Sequence, residues 1–145
     1  MNIIWGAILT ILSLLGWLGQ ILSALSPKVA KNLGLTESES DVDPTFYADV
    51  RGEAIWDTII LWILPVAGIL LIFNSSLWAY FGLVGGGMYL YFAGRGILTR
   101  LAMQRRGIRI GKPKNLAAIY VFLSLWGLIA VVTIIMAVVA LPLPE

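Results

Sequence analysis

Four long apolar stretches alternate with polar segments along this chain of 145 residues. They cover roughly residues 2–25, 54–73, 77–98 and 116–141. A helix rises about 1.5 Å per residue, so about 20 apolar residues cross the hydrocarbon core of a bilayer, which is about 30 Å thick. Each stretch meets that length. The pattern predicts an all-α, polytopic membrane protein in which residues 1–145 form a single domain, a four-helix transmembrane bundle.

The polar segments between these stretches predict two longer loops, residues 27–53 and 100–114. The first contains a Ser-Pro pair at 26–27 and an Asp-Pro pair at 43–44, each of which suits the cap and first residue of a helix. We therefore expect one or two short interfacial helices in this loop, the second running into the second span. Pro65, inside that span, predicts a kink.

The basic residues predict the orientation of the spans. The 100–114 loop contains six basic residues and no acidic one, namely Arg100, Arg105, Arg106, Arg109, Lys112 and Lys114. The positive-inside rule places such a loop in the cytoplasm. The short 74–76 segment permits only a tight turn, so spans two and three form a hairpin and the 27–53 loop lies on the same side. We predict an N-out, C-out integral membrane protein, located in the cytoplasmic (inner) membrane if the source is bacterial, with Glu145 as the only side-chain charge outside.

Composition narrows the possible chemistry. The chain is 59% hydrophobic with a mean hydropathy of +0.91, which excludes a soluble domain. It has no His and no Cys, which excludes conventional haem ligation, iron–sulfur clusters, zinc sites built from these residues and a thiol nucleophile. An acidic run at 37–43 departs from the EF-hand pattern, because Pro44 and Val50 occupy the positions of the turn Gly and the closing Glu. We expect no cofactor, no metal and no nucleic-acid partner.

Charged residues are densest at the predicted cytoplasmic end of span two. Asp49, Glu53 and Asp57 recur at i, i+4 and i+8, so on a helix they share one face. Folding the hairpin about its turn brings Arg95 level with Glu53 and Asp57, which predicts an ion pair with one of them. Arg51 completes the predicted cluster. The cluster either joins the two helices, because an unpaired charge in the membrane costs roughly 2.5–3.5 kcal/mol, or forms a cation, proton or anionic-substrate site.

Small residues predict where helices approach one another. In span three, Gly82 and Gly86 form a small-xxx-small pair that Gly94 extends, and span one offers Gly16 and Gly19. Small side chains let membrane helices pack closely, either within the bundle or against another subunit.

The two cytoplasmic loops also suggest partners. All six basic residues of the 100–114 loop are predicted to contact anionic lipid headgroups, at about 1 kcal/mol each. The acidic 37–43 run lies on the same side, so the two loops can attract each other. We expect membrane lipids as partners, together with another membrane subunit or a homo-oligomer.

Three functions fit these features. The first is a non-catalytic accessory or scaffold subunit that acts through helix packing and lipid contacts. The second is an oligomeric channel or transporter that uses the cluster of acidic residues and Arg95. The third is an interfacial enzyme acting on an anionic or lipid substrate, with a carboxylate as general base.

Overall fold

The computed structural model describes residues 2–141, within which every regular element is helical. In chain order these are α1 (Asn2–Leu25), α2 (Pro27–Asn32), a 3-10 turn (Glu39–Asp41), α3 (Pro44–Ile60), α4 (Ile63–Ile72), α5 (Trp78–Arg105) and α6 (Pro113–Ala140). The all-α prediction is confirmed for this part of the chain.

Three helical segments are long and apolar enough to cross a membrane: Asn2–Leu25, Pro44–Ile72 and Pro113–Ala140. This identifies the chain as a membrane protein. Helix α5 is as long as α6, but its glycines, tyrosines and arginines lower its hydropathy. The fourth predicted crossing therefore stays a prediction.

The predicted helix starts in the 27–53 segment are confirmed. Helix α2 begins at Pro27, and the chain leaves it at Gly34 with a φ of 72°, in the left-handed region that favours glycine. The Asp43 side chain accepts a hydrogen bond from the Thr45 N–H at 2.8 Å and so caps α3.

The second apolar segment is interrupted between α3 and α4, at Leu61 and Trp62, rather than at Pro65 itself. Proline lacks an N–H, and its ring clashes with the carbonyl of the residue four positions earlier, here Leu61. The predicted kink therefore appears one turn before the proline.

The helices pack in the order α1, α4, α5 and α6, and α1 has few contacts with α6. Glycines lie at the crossings. A Cβ atom at Gly6 on α1 would lie 2.8 Å from the Gly68 carbonyl oxygen on α4, and one at Gly85 on α5 would lie 2.7 Å from the Leu64 backbone nitrogen on α4. The three inner crossings thus depend on positions without a side chain.

Three of the five glycines predicted to mediate packing lie against a neighbouring helix. Gly82 and Gly86 face α6, and Gly16 faces Trp126 of α6. A Cβ at Gly94 or Gly19 would have no atom of this chain within 4 Å, so packing of these two positions against another subunit stays a prediction. Gly94 lies on the face of α5 that points away from the other helices.

The two charged loops meet at one end of the bundle. Val42, Phe46, Ile110 and Leu116 form a buried apolar cluster between them. The Asp43 N–H donates to the Arg109 carbonyl oxygen at 2.7 Å. At the opposite end, the side-chain amide of Asn2 donates to that of Asn74 at 3.1 Å, which places the start of α1 beside the turn between α4 and α5.

Candidate functional site

Arg95 on α5 lies between two carboxylates of α3. Its Nη2 donates to Asp49 Oδ1 at 2.6 Å, and its Nη1 lies 2.8 Å from Glu53 Oε1. The second contact is an ion pair but not a hydrogen bond, because the Arg95 Nη1–H is not aligned with the Glu53 oxygen. The Glu53 side chain is 9% exposed, whereas those of Asp49 and Arg95 are 28% and 27% exposed. Arg95 therefore joins α5 to α3 through two ion pairs.

Asp57 does not pair with Arg95, although the hairpin register made it a possible partner. It lies one turn further along α3 than Glu53 and is 2% exposed, and its Oδ2 atom is buried without a hydrogen-bond partner among the described residues. A buried carboxylate oxygen without a partner is rare, and it is a feature of functional sites as well as of unresolved water sites.

Arg51, the fifth predicted member, lies apart from the cluster. Its guanidinium donates to the backbone carbonyl oxygen of Ser23 and, at 3.1 Å, to that of Ala24. These carbonyls belong to the last turn of α1, which has no intrahelical partners for them. Arg51 thus caps the C-terminus of α1.

Three aromatic side chains tie the helices to one another through their N–H and O–H donors. The Trp126 Nε1–H donates to the Leu12 carbonyl oxygen and the Trp17 Nε1–H to the Thr58 carbonyl oxygen, both at 2.9 Å. The hydroxyl of the fully buried Tyr89 donates to the Ser13 carbonyl oxygen. Helix carbonyls have a second lone pair, so they accept these bonds without losing their own.

A cavity of about 300 Å³ opens between α1 and α6. Its walls are mostly apolar and include Leu15, Phe92 and Trp126. Gln20, Ser23, Glu53 and Arg100 supply polar groups to its lining. The volume is at the lower end of the range of small-molecule sites, about 300–1,000 Å³, and such sites combine apolar walls with a few polar groups.

Arg100, predicted to contact lipid headgroups at the surface, folds inward instead. Its Nη1 donates to the Gly96 carbonyl oxygen at 2.9 Å, and its guanidinium lies over the Phe46 ring, 5.5 Å from the centroid. Its Nε is buried without a partner. Arg100 lies beyond the predicted span 77–98, and burial lowers its pKa while the negative charge of Glu53 opposes that shift.

The other five basic residues of the 100–114 loop are exposed. Arg105, Arg106 and Lys114 lie on the surface. Their predicted contacts with lipid headgroups stay predictions. Arg109 also donates to the Ser40 and Val42 carbonyl oxygens at 3.4 and 3.3 Å, and Lys112 pairs with Asp41 at 3.1 Å.

Glu37 is a buried acidic residue that sequence reasoning assigned to a mobile acidic run. It is 8% exposed, and a Cβ at Gly111 would lie 2.7 Å from its carboxyl carbon. The positive φ of Gly111, 126°, favours glycine there, and a Cβ would also displace the Glu37 carboxylate. The signal in the sequence was the glycine of the facing loop.

No protein-family model, curated protein or solved structure matches this chain. Among residues 2–141, no group of three or more His, Cys, Asp or Glu side chains is arranged to hold a metal ion.

Proposed function

We propose that this protein is a non-catalytic accessory or scaffold subunit with four membrane crossings, N-out and C-out, that packs against a second membrane protein chain through the outer face of α5. The observation that carries this proposal is an unpartnered stripe along that helix. Its members recur at spacings of four and three residues: Tyr80, Val84, Gly87, Tyr91, Gly94, Leu98 and Leu101.

The composition of this stripe favours a protein neighbour over lipid. A Cβ at Gly87 or at Gly94 would have no atom within 4 Å, and Tyr91 between them is 60% exposed. Helix pairs in membranes meet at small residues because the backbones can then approach closely, whereas bulky apolar side chains serve a lipid-facing surface. The repeat of seven residues also matches the spacing along which two helices stay in contact.

A fourth crossing fits the length and neighbours of α5. Its 28 residues extend about 42 Å at 1.5 Å per residue, which exceeds the hydrocarbon core. With α5 inside the bilayer, the docked 27–53 and 100–114 loops lie on one side and their basic residues follow the positive-inside rule.

Substitution of the open glycines tests this proposal. Gly87→Leu fills the stripe without a clash inside the chain, because its Cβ faces open space. We expect wild type, purified in mild detergent, to form a discrete homo-oligomer or a complex of fixed stoichiometry, and Gly87→Leu to elute as the monomer. Gly19→Leu, which also meets open space but on α1, is the matched control and should retain the assembly. A wild-type protein that is monomeric and alone contradicts the proposal.

A channel or transporter is the second candidate, and Asp57 is the observation that favours it. A buried carboxylate with an unpartnered oxygen inside an apolar segment is the usual position of a proton or cation relay. Proton or sodium flux into vesicles that disappears in Asp57→Asn but persists in Asp49→Asn would support it. Flux equal to that of empty vesicles would exclude it.

The interfacial enzyme has less support. Asp49 and Glu53, two of its three candidate general bases, are ion-paired with Arg95. Arg51, the other candidate anion-binding arginine, bonds to the end of α1.

A further inference from the structure

The cavity between α1 and α6 ends at a cation that contacts no anion. Arg100 forms no ion pair with any of residues 2–141. The carboxylates of Asp49 and Glu53 contact Arg95 and act on Arg100 only at longer range. The Arg100 guanidinium has one hydrogen bond, to the Gly96 carbonyl oxygen, and a buried Nε without a partner. An anion in the cavity would supply the direct contact that the carboxylates do not.

The rest of the cavity has the shape and surface of an acyl-chain site. Trp126 closes it at one end, because its Nε1–H is bonded to the Leu12 carbonyl oxygen and its ring contacts Gly16. The wall runs along α1 from Leu15 to Ser23, a distance of about 12 Å at 1.5 Å per residue. Gly19 has no neighbour within 4 Å and leaves room along this wall.

The cavity reaches the outer surface of the bundle between α1 and α6. Helices α1 and α6 have few contacts, and the Leu15 side chain in the cavity wall is 59% exposed. A molecule in the bilayer can therefore enter from the side. Arg100 lies at the end of the bundle where the charged loops meet, which is the level of the headgroups in the proposed orientation.

We propose that this cavity binds one phospholipid, with an acyl chain between α1 and α6 and the phosphodiester at Arg100. The inference rests on the four-crossing placement of the proposed function but not on a partner at α5. A guanidinium binds phosphate through paired N–H groups, and the Nε of Arg100 has no hydrogen-bond partner among the described residues. The apolar wall binds the chain in the same way as other largely apolar ligand sites.

Native mass spectrometry of the purified full-length chain tests the proposal. The probe is palmitoyl-oleoyl phosphatidylglycerol added to delipidated protein, with palmitoyl-oleoyl phosphatidylethanolamine as a second phosphodiester. We expect wild type to retain one phospholipid of either kind. Arg100→Gln should weaken retention about tenfold or more, since a hydrogen bond to a charged group contributes about 1.5–3 kcal/mol. Arg105→Gln, which removes an exposed charge from the same helix, should retain the lipid as wild type does.

A second variant separates the cavity from the charge. Gly19→Leu adds a side chain to the cavity wall without a clash and should displace the lipid while leaving the assembly through α5 intact. Gly87→Leu should do the reverse, so the two proposals can fail separately. Wild type without bound lipid, equal losses in Arg100→Gln and Arg105→Gln, or retention by Gly19→Leu each overturns the proposal. Equally tight binding of a dioleoyl glycerol, which lacks the phosphate, overturns the role of Arg100.

Discussion

At the scale of single residues, Arg95 joins α5 to α3 through two ion pairs. Few other contacts join these two helices. Asp49 and Glu53 both face Arg95, and Glu53 is the more buried of the two. Removing the cation leaves two neighbouring carboxylates without a counter-charge, and this penalty is larger than the net gain from the intact pairs.

Arg95→Gln should therefore destabilise the protein by about 1–3 kcal/mol, the cost of leaving buried polar groups unpaired. Glu53→Gln should cost more than Asp49→Asn, because the Glu53 carboxylate is less exposed. Unfolding by a denaturing detergent, followed by tryptophan fluorescence, measures both differences. Arg106→Gln, at an exposed position beyond the end of α5, is the control and should be within error of wild type. Equal midpoints for Arg95→Gln and Arg106→Gln would contradict this account.

The sequence predicted part of this pairing. Helical spacing is enough to place Asp49, Glu53 and Asp57 on one face, and the short turn is enough to bring Arg95 near them. Of the two predicted partners of Arg95, Glu53 pairs with it and Asp57 does not, and Asp49 pairs with it as well. The register was counted along straight helices, whereas the second span is interrupted between α3 and α4. The size of such an interruption cannot be read from sequence alone.

At the scale of elements, the crossings of α4 with α1 and α5 depend on backbone approaching backbone. Gly85 and Gly87 are two residues apart on α5 and point in different directions. A Cβ at Gly85 would lie 2.7 Å from the Leu64 nitrogen and 2.8 Å from its Cα, whereas one at Gly87 meets nothing within 4 Å. Substitution of either glycine by alanine changes the helix propensity equally, but only the substitution at Gly85 changes the packing. The two positions therefore form a matched pair.

Gly85→Ala should destabilise the bundle by about 1–3 kcal/mol, the cost of overpacking a close contact. Gly87→Ala should be neutral or stabilising by up to about 1 kcal/mol, because alanine is the better helix former. Thermal unfolding monitored by intrinsic fluorescence compares them directly. A loss of stability in Gly87→Ala as large as in Gly85→Ala would show that helix propensity or a partner, and not the α4 crossing, decides the result.

Close approach between helices was predictable from composition, but the rotation of α5 was not. Its glycines occur on several faces of the helix. A small-xxx-small pattern therefore does not indicate whether the face with Gly82, Gly86 and Gly94 or the face with Gly85 meets a neighbouring helix. Only Gly82 and Gly86 of that stripe face α6. The glycines at the α1–α4 crossing, Gly6 and Gly68, carry no repeat that would have marked them.

At the scale of the whole molecule, apolar packing contributes more than charge to the contact between the two loops. Lys112 and Asp41 are 67% and 34% exposed, and exposed pairs contribute about 0–1 kcal/mol. Val42 and Ile110 are 1% and 2% exposed in the cluster between the loops. The opposite charges of the two loops were enough to predict their contact. The buried apolar side chains contribute most of the free energy of that contact.

Ile110→Ala should therefore release the 27–53 segment, whereas Lys112→Gln should not. A large-to-small change at a buried position costs about 2–5 kcal/mol. The Asp43 N–H, bonded to the Arg109 carbonyl oxygen, should exchange its hydrogen faster in Ile110→Ala, as measured by hydrogen–deuterium exchange. If exchange accelerates in Lys112→Gln and at high salt instead, the ion pair is the main contribution.

The same contact implies that the two docked loops lie on one side of the membrane, and the positive-inside rule predicts that this side is the cytoplasm. The chain lacks cysteine, so single cysteines can be introduced at exposed positions without a background. Ser40→Cys and Lys114→Cys lie in or beside the docked loops, and Ser76→Cys lies in the turn at the other end. We expect a membrane-impermeant maleimide to label Ser76→Cys on intact cells, and the other two only after permeabilisation.

Labelling of Ser40→Cys and Lys114→Cys from opposite sides would exclude the four-crossing arrangement, and reversed labelling of all three would preserve the bundle but invert it. In the reversed case the basic residues beside Lys114 would no longer face the cytoplasm, and the leaflet assigned to the phospholipid at Arg100 would change with them.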